Sequence, residues 1–297
     1  MPPALKAGDT VALLATARKI DSADVEYAVR ILQGWGLNVT VGKTIGLDDN
    51  QFAGSDEQRL ADLQEQLDNP DVKAIICARG GYGTLRLVDN IDFRKFLKKP
   101  KWICGFSDIT VLHSHLLQVY NIASLHCAMP LTFEKNTPES LESMKNALMG
   151  KRLNYKFELN PMNREGLARG VMCGGNLSML YALSNSVSDV DTTDKILFIE
   201  DIDEYLYHVD RMMWQLKRAG KLENLAGLVV GQFTDMKDNT IPYGHNAYEI
   251  IADAVSEYDY PVYFDFPAGH ESDNRAIVIG SEVQINTLDG QVNYRQL

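Results

Sequence analysis

The first half of the chain alternates short apolar runs with amphipathic stretches, and few folds accept that alternation. Thr10–Ala15 (TVALLA), Asn38–Val41, Lys73–Ala78 (KAIICA), Lys101–Gly105 and Ile122–Cys127 read as strands. Between the first two, Ala23–Trp35 carries Val25, Ala28, Val29, Leu32 and Trp35 at helical spacing, and Gly36 ends it. A second helix starts at Ser55-Asp56-Glu57, with acids near its positive end. It keeps Leu60, Leu63 and Leu67 on one side and stops before Pro70. Asp108–Tyr120 makes a third, with Ile109, Leu112, Leu116 and Tyr120 in line. Strands alternating with helices in this way predict an α/β fold with a doubly wound parallel sheet. In such sheets ligands bind beyond the carboxyl ends of the strands.

Two loops fall at those ends: Arg79-Gly80-Gly81-Tyr82-Gly83 and Gly105-Phe106-Ser107-Asp108. A serine at a tight strand-to-helix turn projects its hydroxyl beyond the sheet edge, beside the free N–H groups of the helix start. That is the geometry of a nucleophile elbow, although GFSD is not G-x-S-x-G. The competing reading is a plain helix cap, since serine is a preferred N-cap residue. The glycines of the other loop let backbone N–H groups approach a ligand closely. The loop matches neither G-x-G-x-x-G nor a P-loop. It suits an oxyanion or carboxylate instead: backbone N–H groups of the loop can converge with that of Asp108, and Arg79 and Tyr82 are substrate-binding candidates. For Arg79 a structural ion pair is the alternative.

Around Asn146–Gly166 the apolar periodicity fades, which marks a boundary between an N-terminal domain at 1–150 and a C-terminal one at 165–297. Gly170–Asn176 (GVMCGGN) leads into a helix at Leu177–Leu183, and Lys195–Glu200 (KILFIE) is a strand ending on an acid. Glu204–Ala219 is an amphipathic helix, Leu225–Gly231 a strand, Ala247–Tyr258 a helix and Pro261–Phe266 a strand. The end alternates in short β segments around Asp289-Gly290, a hairpin signal.

Ser107, Glu200 and His270 each follow or end an apolar strand. A serine hydroxyl needs a base to become a nucleophile, and the base needs an orienting acid. These three supply that set, from both domains, so their site would lie in the cleft between them. Asp201 and Asp203 are equally good candidates for the acid. His113 and His126 are rival bases, while His208 and His245 look surface-facing.

The formal charge of -11 disfavours nucleic acid or an anionic membrane as partner. Cys77, Cys104, Cys127 and Cys173 match no zinc or redox spacing and read as buried thiols. No cluster has metal-ligand spacing, so neither metal nor other cofactor is expected. The N-terminal apolar run is too short for a signal peptide or membrane span, which favours a cytoplasmic enzyme.

Several stretches resemble the LD-carboxypeptidases of serine peptidase family S66: AGSDEQRLADL (53–63), ARGGYGTLRLVDNID (78–92), GFSDITVLH (105–113), GGNLSML (174–180), LFIEDIDEYLYHVDRMMWQLKRAG (197–220) and PAGH (267–270). They occur in the family's order and span most of the chain. The resemblance implies a triad of Ser107, Glu200 and His270, with oxyanion donors at Asp108 and Gly81. It also implies a parallel-sheet N-terminal domain, a β-rich C-terminal α/β domain and a homodimer. The implied reaction is cleavage of the L-D bond that releases D-alanine from a cytoplasmic muropeptide during wall recycling. Relatives that hydrolyse a toxic peptide-nucleotide conjugate are the alternative. That reaction wants an aromatic platform, whereas Trp35, Trp102 and Trp214 all lie in regular elements. A non-catalytic wall-fragment binder is the other. Departures from the family are LLATARK after the first strand, where Pro-Ser is frequent, Asp203 where glycine is usual, and a glycine-poor loop after His270.

Overall fold

The computed structural model describes residues 1–297. In chain order its elements are β1 (Thr10–Leu14), α1 (Ser22–Gly34), β2 (Asn38–Val41), α2 (Asp56–Asp68), β3 (Val72–Cys77), β4 (Trp102–Gly105), α3 (Thr110–Tyr120), β5 (Ser124–His126) and α4 (Pro138–Leu148). There follow β6 (Asn154–Glu158), β7 (Ala168–Asn176), α5 (Leu177–Leu183), β8 (Lys195–Ile202), α6 (Leu206–Arg218) and β9 (Gly227–Thr234). The last are α7 (Ala247–Ala254), β10 (Val262–Tyr263), β11 (Ile277–Ile279), β12 (Glu282–Leu288) and β13 (Gln291–Gln296).

The first sheet has the order β11-β5-β4-β3-β1-β2. Its five N-terminal strands are parallel, as the alternation predicts. Helices cover the sheet, so Val11–Leu14 of β1 are wholly buried. The start of α2 is a capping box: Gln58 N–H donates to Ser55 Oγ at 3.3 Å, and Ser55 N–H to Gln58 Oε1 at 2.8 Å.

The second sheet, β10-β9-β8-β7-β12-β13-β6, is parallel from β10 to β7 and antiparallel beyond it. Its antiparallel half contains the expected hairpin. Leu288 pairs with Gln291 across Asp289 and Gly290, both with positive φ, the geometry a two-residue hairpin turn requires.

The two sheets are not separate in the chain. Ile277–Ile279, inside the 165–297 stretch, returns to the first sheet and pairs antiparallel with β5. Helix α3 lies between the sheets. The spacing predicts one buried side, yet Thr110 to Leu117 are all buried because β7 and α5 cover the opposite face. Leu112 and Leu116 each contribute about 1.5–3 kcal/mol by that burial. Thr110 Oγ1 accepts the N–H of Asn176 at 3.0 Å, tying the end of β7 to the start of α3.

Candidate active site

Ser107 sits immediately beyond the carboxyl end of β4 with φ +62°. A left-handed backbone costs a non-glycine residue about 1–2 kcal/mol, so the surrounding structure must hold it. Gly105, at φ +151°, starts the turn, and a Cβ there would stand 2.8 Å from Ile109 Cγ1. The Gly105 carbonyl accepts from Cys127 N–H at 3.2 Å and from His113 Nε2 at 2.8 Å. Ser107 makes no capping bond, and α3 begins only after a short 3-10 turn at Ser107–Ile109. The cap reading therefore fails on geometry. The strained turn is what an exposed strand-to-helix hydroxyl needs.

The RGGYG loop lies against this turn. A Cβ on Gly80 would stand 3.0 Å from Ser107 Cβ, 3.1 Å from Ser107 Oγ and 3.4 Å from Asp108 N. Gly81, at φ +112°, has an N–H that donates to no carbonyl of the chain. Asp108 is buried, and its Oδ2 accepts the N–H of Thr84 at 2.8 Å, locking the loop to the elbow. Burial raises the Asp108 carboxyl above its ordinary value, against the lowering hydrogen bonds of Thr84.

Sequence reasoning missed Arg59, which clamps the same loop from behind. Its guanidinium is fully buried and donates to Thr16 O at 2.6 Å and Gly83 O at 3.1 Å, while pairing with Asp56. The signal was available: Arg59 shares the buried stripe of α2 with Leu63 and Gln66. Arg79 forms no ion pair and donates to Lys19 O at 2.8 Å. Tyr82 is 41% exposed, with its ring 6.2 Å from that of Phe52.

From the second sheet come the other two residues. Glu200, in β8, is 0% exposed, and its Oε2 lies 2.7 Å from His270 Nδ1. A carboxylate can only accept, so Nδ1 carries the proton and Nε2 is left with its lone pair. Burial pushes His270 down, and the charge and hydrogen bond of Glu200, then the charge of Asp201, outweigh it, so the imidazole ends above its ordinary value. Phe106, the residue before Ser107, packs its ring 4.7 Å from that of His270. The elbow and the Glu200–His270 pair therefore meet at the junction of the sheets. Ser107 Oγ and His270 Nε2 form no mutual hydrogen bond, and such bonds often tighten only with substrate.

The rivals are placed elsewhere. Asp201 accepts from Asn176 Nδ2 at 2.9 Å and from Ser178 N and Oγ at 2.9 and 2.8 Å, and burial beside Glu200 pushes it up to about 6. Asp203 pairs with Lys237 at 2.7 Å. Its φ of +64° explains why glycine would suit that position. His113 is buried between Gly105 O and Ser124 Oγ, and burial drops it to about 4. His126 is fully buried with no partner on either ring nitrogen, and burial drives it well below its ordinary value. His245 is exposed as expected, whereas His208 is partly buried and bonded to Glu204 at 2.6 Å. All four cysteines are buried thiols. No helix is long and apolar enough to cross a membrane. Trp214 lines an open depression of about 950 Å³ with Tyr181, Tyr207 and Tyr243, and no residue of the elbow or of the Glu200–His270 pair borders it.

Fold and site together define a serine-dependent hydrolase built across two sheets. The chain belongs to the LD-carboxypeptidase family, peptidase family S66: the N-terminal domain of that family matches residues 11–127 and the C-terminal domain residues 169–285. It is thus a serine carboxypeptidase. The probable murein peptide carboxypeptidase of Bacillus subtilis (strain 168) is 36% identical, over 97% of this chain and 92% of that protein. The murein tetrapeptide carboxypeptidase of Pseudomonas aeruginosa is 30% identical, over 90% and 89%. The crystal structure of muramoyltetrapeptide carboxypeptidase from Oxalobacter formigenes superposes with a TM-score of 0.87 at 28% identity, covering 97% and 98%. MccF in complex with glutamyl sulfamoyl guanosine gives a TM-score of 0.88 at 20% identity, covering 100% and 98%, a likeness of fold alone.

Proposed function

We propose that this enzyme removes the terminal D-alanine from a murein tetrapeptide in the cytoplasm, as a step of wall recycling, and that it works as a homodimer. Ser107 Oγ attacks the carbonyl of the L-D bond while His270 Nε2 takes its proton. Glu200 holds Nδ1–H and stabilises the imidazolium. The N–H groups of Gly81 and Asp108 receive the oxyanion, and Arg79 and Tyr82 line the substrate side of the loop. His270 returns the proton to the leaving amine of D-alanine, and water then releases the acyl group by the same route in reverse. The 2.7 Å Glu200–His270 bond carries this reading, because it fixes the tautomer a general base needs.

The test is D-alanine release from a disaccharide-tetrapeptide by wild type and by Ser107→Ala. Release by wild type, lost by several orders of magnitude in the variant, is expected for a triad nucleophile. A second reading, hydrolysis of a peptide-nucleotide conjugate, is favoured by the exposed Tyr82 ring beside the RGG backbone, which could stack on a base. Cleavage of such a conjugate without D-alanine release would select it. Absence of both reactions would leave a binder of wall fragments.

A further inference from the structure

Two arginines border the RGG loop without an acid to neutralise them. Arg18 is exposed and forms no ion pair or side-chain hydrogen bond, and its stem lies on Gly81. A Cβ on Gly81 would stand 2.1 Å from Arg18 Cδ and 2.4 Å from Cγ, so the stem occupies the space a side chain would fill. Arg79 reaches the same place from the other side, donating to the carbonyl of Lys19, the residue after Arg18. Burial, then the like charge of Arg18, lower the Arg79 guanidinium from its ordinary value; only Asp24 opposes this, without forming an ion pair to either. Lys19 itself is paired with Asp48 at 2.7 Å.

Ser107 touches the loop at Gly80 and Arg18 touches it at Gly81. A peptide with its scissile carbonyl on Ser107 and its oxyanion on the Gly81 N–H carries its terminal carboxylate one residue further on. Arg18, whose stem lies on Gly81, is the cation that touches the loop at the proposed oxyanion donor. We infer that Arg18 and Arg79 together receive the free terminal carboxylate of the substrate and so restrict the enzyme to removing a single end residue. In a chain of net charge -11, two guanidinium groups kept free of carboxylates beside a nucleophile are arranged for an incoming anion. The inference rests on the carboxypeptidase reading above and adds a residue, Arg18, that binds substrate directly.

The experiment is calorimetric binding to Ser107→Ala, which needs no turnover. The ligands are a tetrapeptide ending in D-alanine and the same peptide as its C-terminal carboxamide. The acid is expected to bind about 10- to 100-fold more tightly, the range for a charged hydrogen-bonded pair. Adding Arg18→Ala should bring the acid close to the amide and leave the amide unchanged, and Arg18→Lys should restore part of the difference. Equal binding of acid and amide, binding of neither, or equal loss of both in Arg18→Ala would each overturn the inference. Wild type that releases no D-alanine, with acid-selective binding intact, would strike the proposed reaction and leave the receiver standing.

Discussion

The two sides of the site are held by different means. The Ser107 side is local. A short strand, a strained turn and a helix follow one another within Trp102–Tyr120, and the turn at φ +62° is braced by the RGGYG loop through the Thr84–Asp108 bond. The His270 side is long-range. Residues 266–268 run beside β9, with Phe266 N–H on Val230 O at 3.1 Å and Gln232 N–H on Ala268 O at 3.1 Å. The following loop is stitched to the other half of the molecule: Thr137 N–H donates to Ser272 O at 2.9 Å and Ser140 Oγ to Asn274 O at 2.7 Å. The proposed nucleophile is thus positioned within one strand–turn–helix unit that tolerates a strained backbone. The proposed base is positioned by contacts that exist only once both halves have folded.

The largest effect that sharpens this contrast belongs to Glu200. In Glu200→Gln the imidazole faces an amide, which can donate as well as accept and so no longer fixes the tautomer, and kcat should fall about 10⁴-fold, as in a triad whose acid is replaced by its amide. The pH profile should move as well. His270 acts as base only when neutral, and Glu200 holds its pKa above the ordinary value, so wild-type kcat/KM falls as pH drops through that raised value. With the negative charge gone, the acid limb should shift to lower pH. Kinetics across pH 5–9 read both, and an unmoved limb would mean that another group sets it.

A smaller effect is expected at Asn274, which is 1% exposed. Its Oδ1 accepts the N–H of Gly269, the residue before His270, at 3.1 Å, and Arg275 N–H closes the same loop on Pro267 O at 2.8 Å. Asn274→Ala leaves a buried N–H unpaired and frees the loop that aims His270. The expected cost is about 1–3 kcal/mol of stability, with kcat falling about tenfold and KM little changed. Loss of KM alone would show that the loop serves substrate binding and not the base.

The same contrast explains what could be read from the sequence. GFSD announces its turn because strand, glycine, serine and helix are contiguous, and KILFIE shows its acid in plain view, although β8 runs on through Asp201 to Ile202 rather than ending at Glu200. The membership of Ile277–Ile279 in the first sheet was not legible, because an antiparallel edge strand is defined by its partner β5, which lies far away in sequence. Strand β7 was hidden by its glycines. Gly174 lies against the Phe198 carbonyl of the neighbouring strand and Gly175 against Thr110 of the other half, so close backbone packing replaces the apolar side chains that mark a strand. Strand β6 is a sheet edge with mostly exposed residues, so it carries little apolar signal. Arg59 and Arg18 went unread for a related reason: a lone arginine takes its meaning from the carbonyls or glycines it meets.

The smallest effect tests the strain itself. Replacing Ser107 removes the nucleophile whichever residue is used, so Ser107→Ala and Ser107→Gly should be equally inactive while differing in stability. At an ordinary position alanine is the more stabilising, because glycine loses about 0.5–1 kcal/mol more chain entropy on folding. At φ +62° the order should invert. Alanine keeps the Cβ that makes a left-handed backbone cost about 1–2 kcal/mol, and glycine does not. The two terms leave Ser107→Gly ahead by about 0.5–1 kcal/mol, visible as a higher denaturation midpoint at unchanged slope. Alanine proving the more stable would mean that the elbow is not strained in solution, and that the nucleophile, like the base, is held by distant contacts.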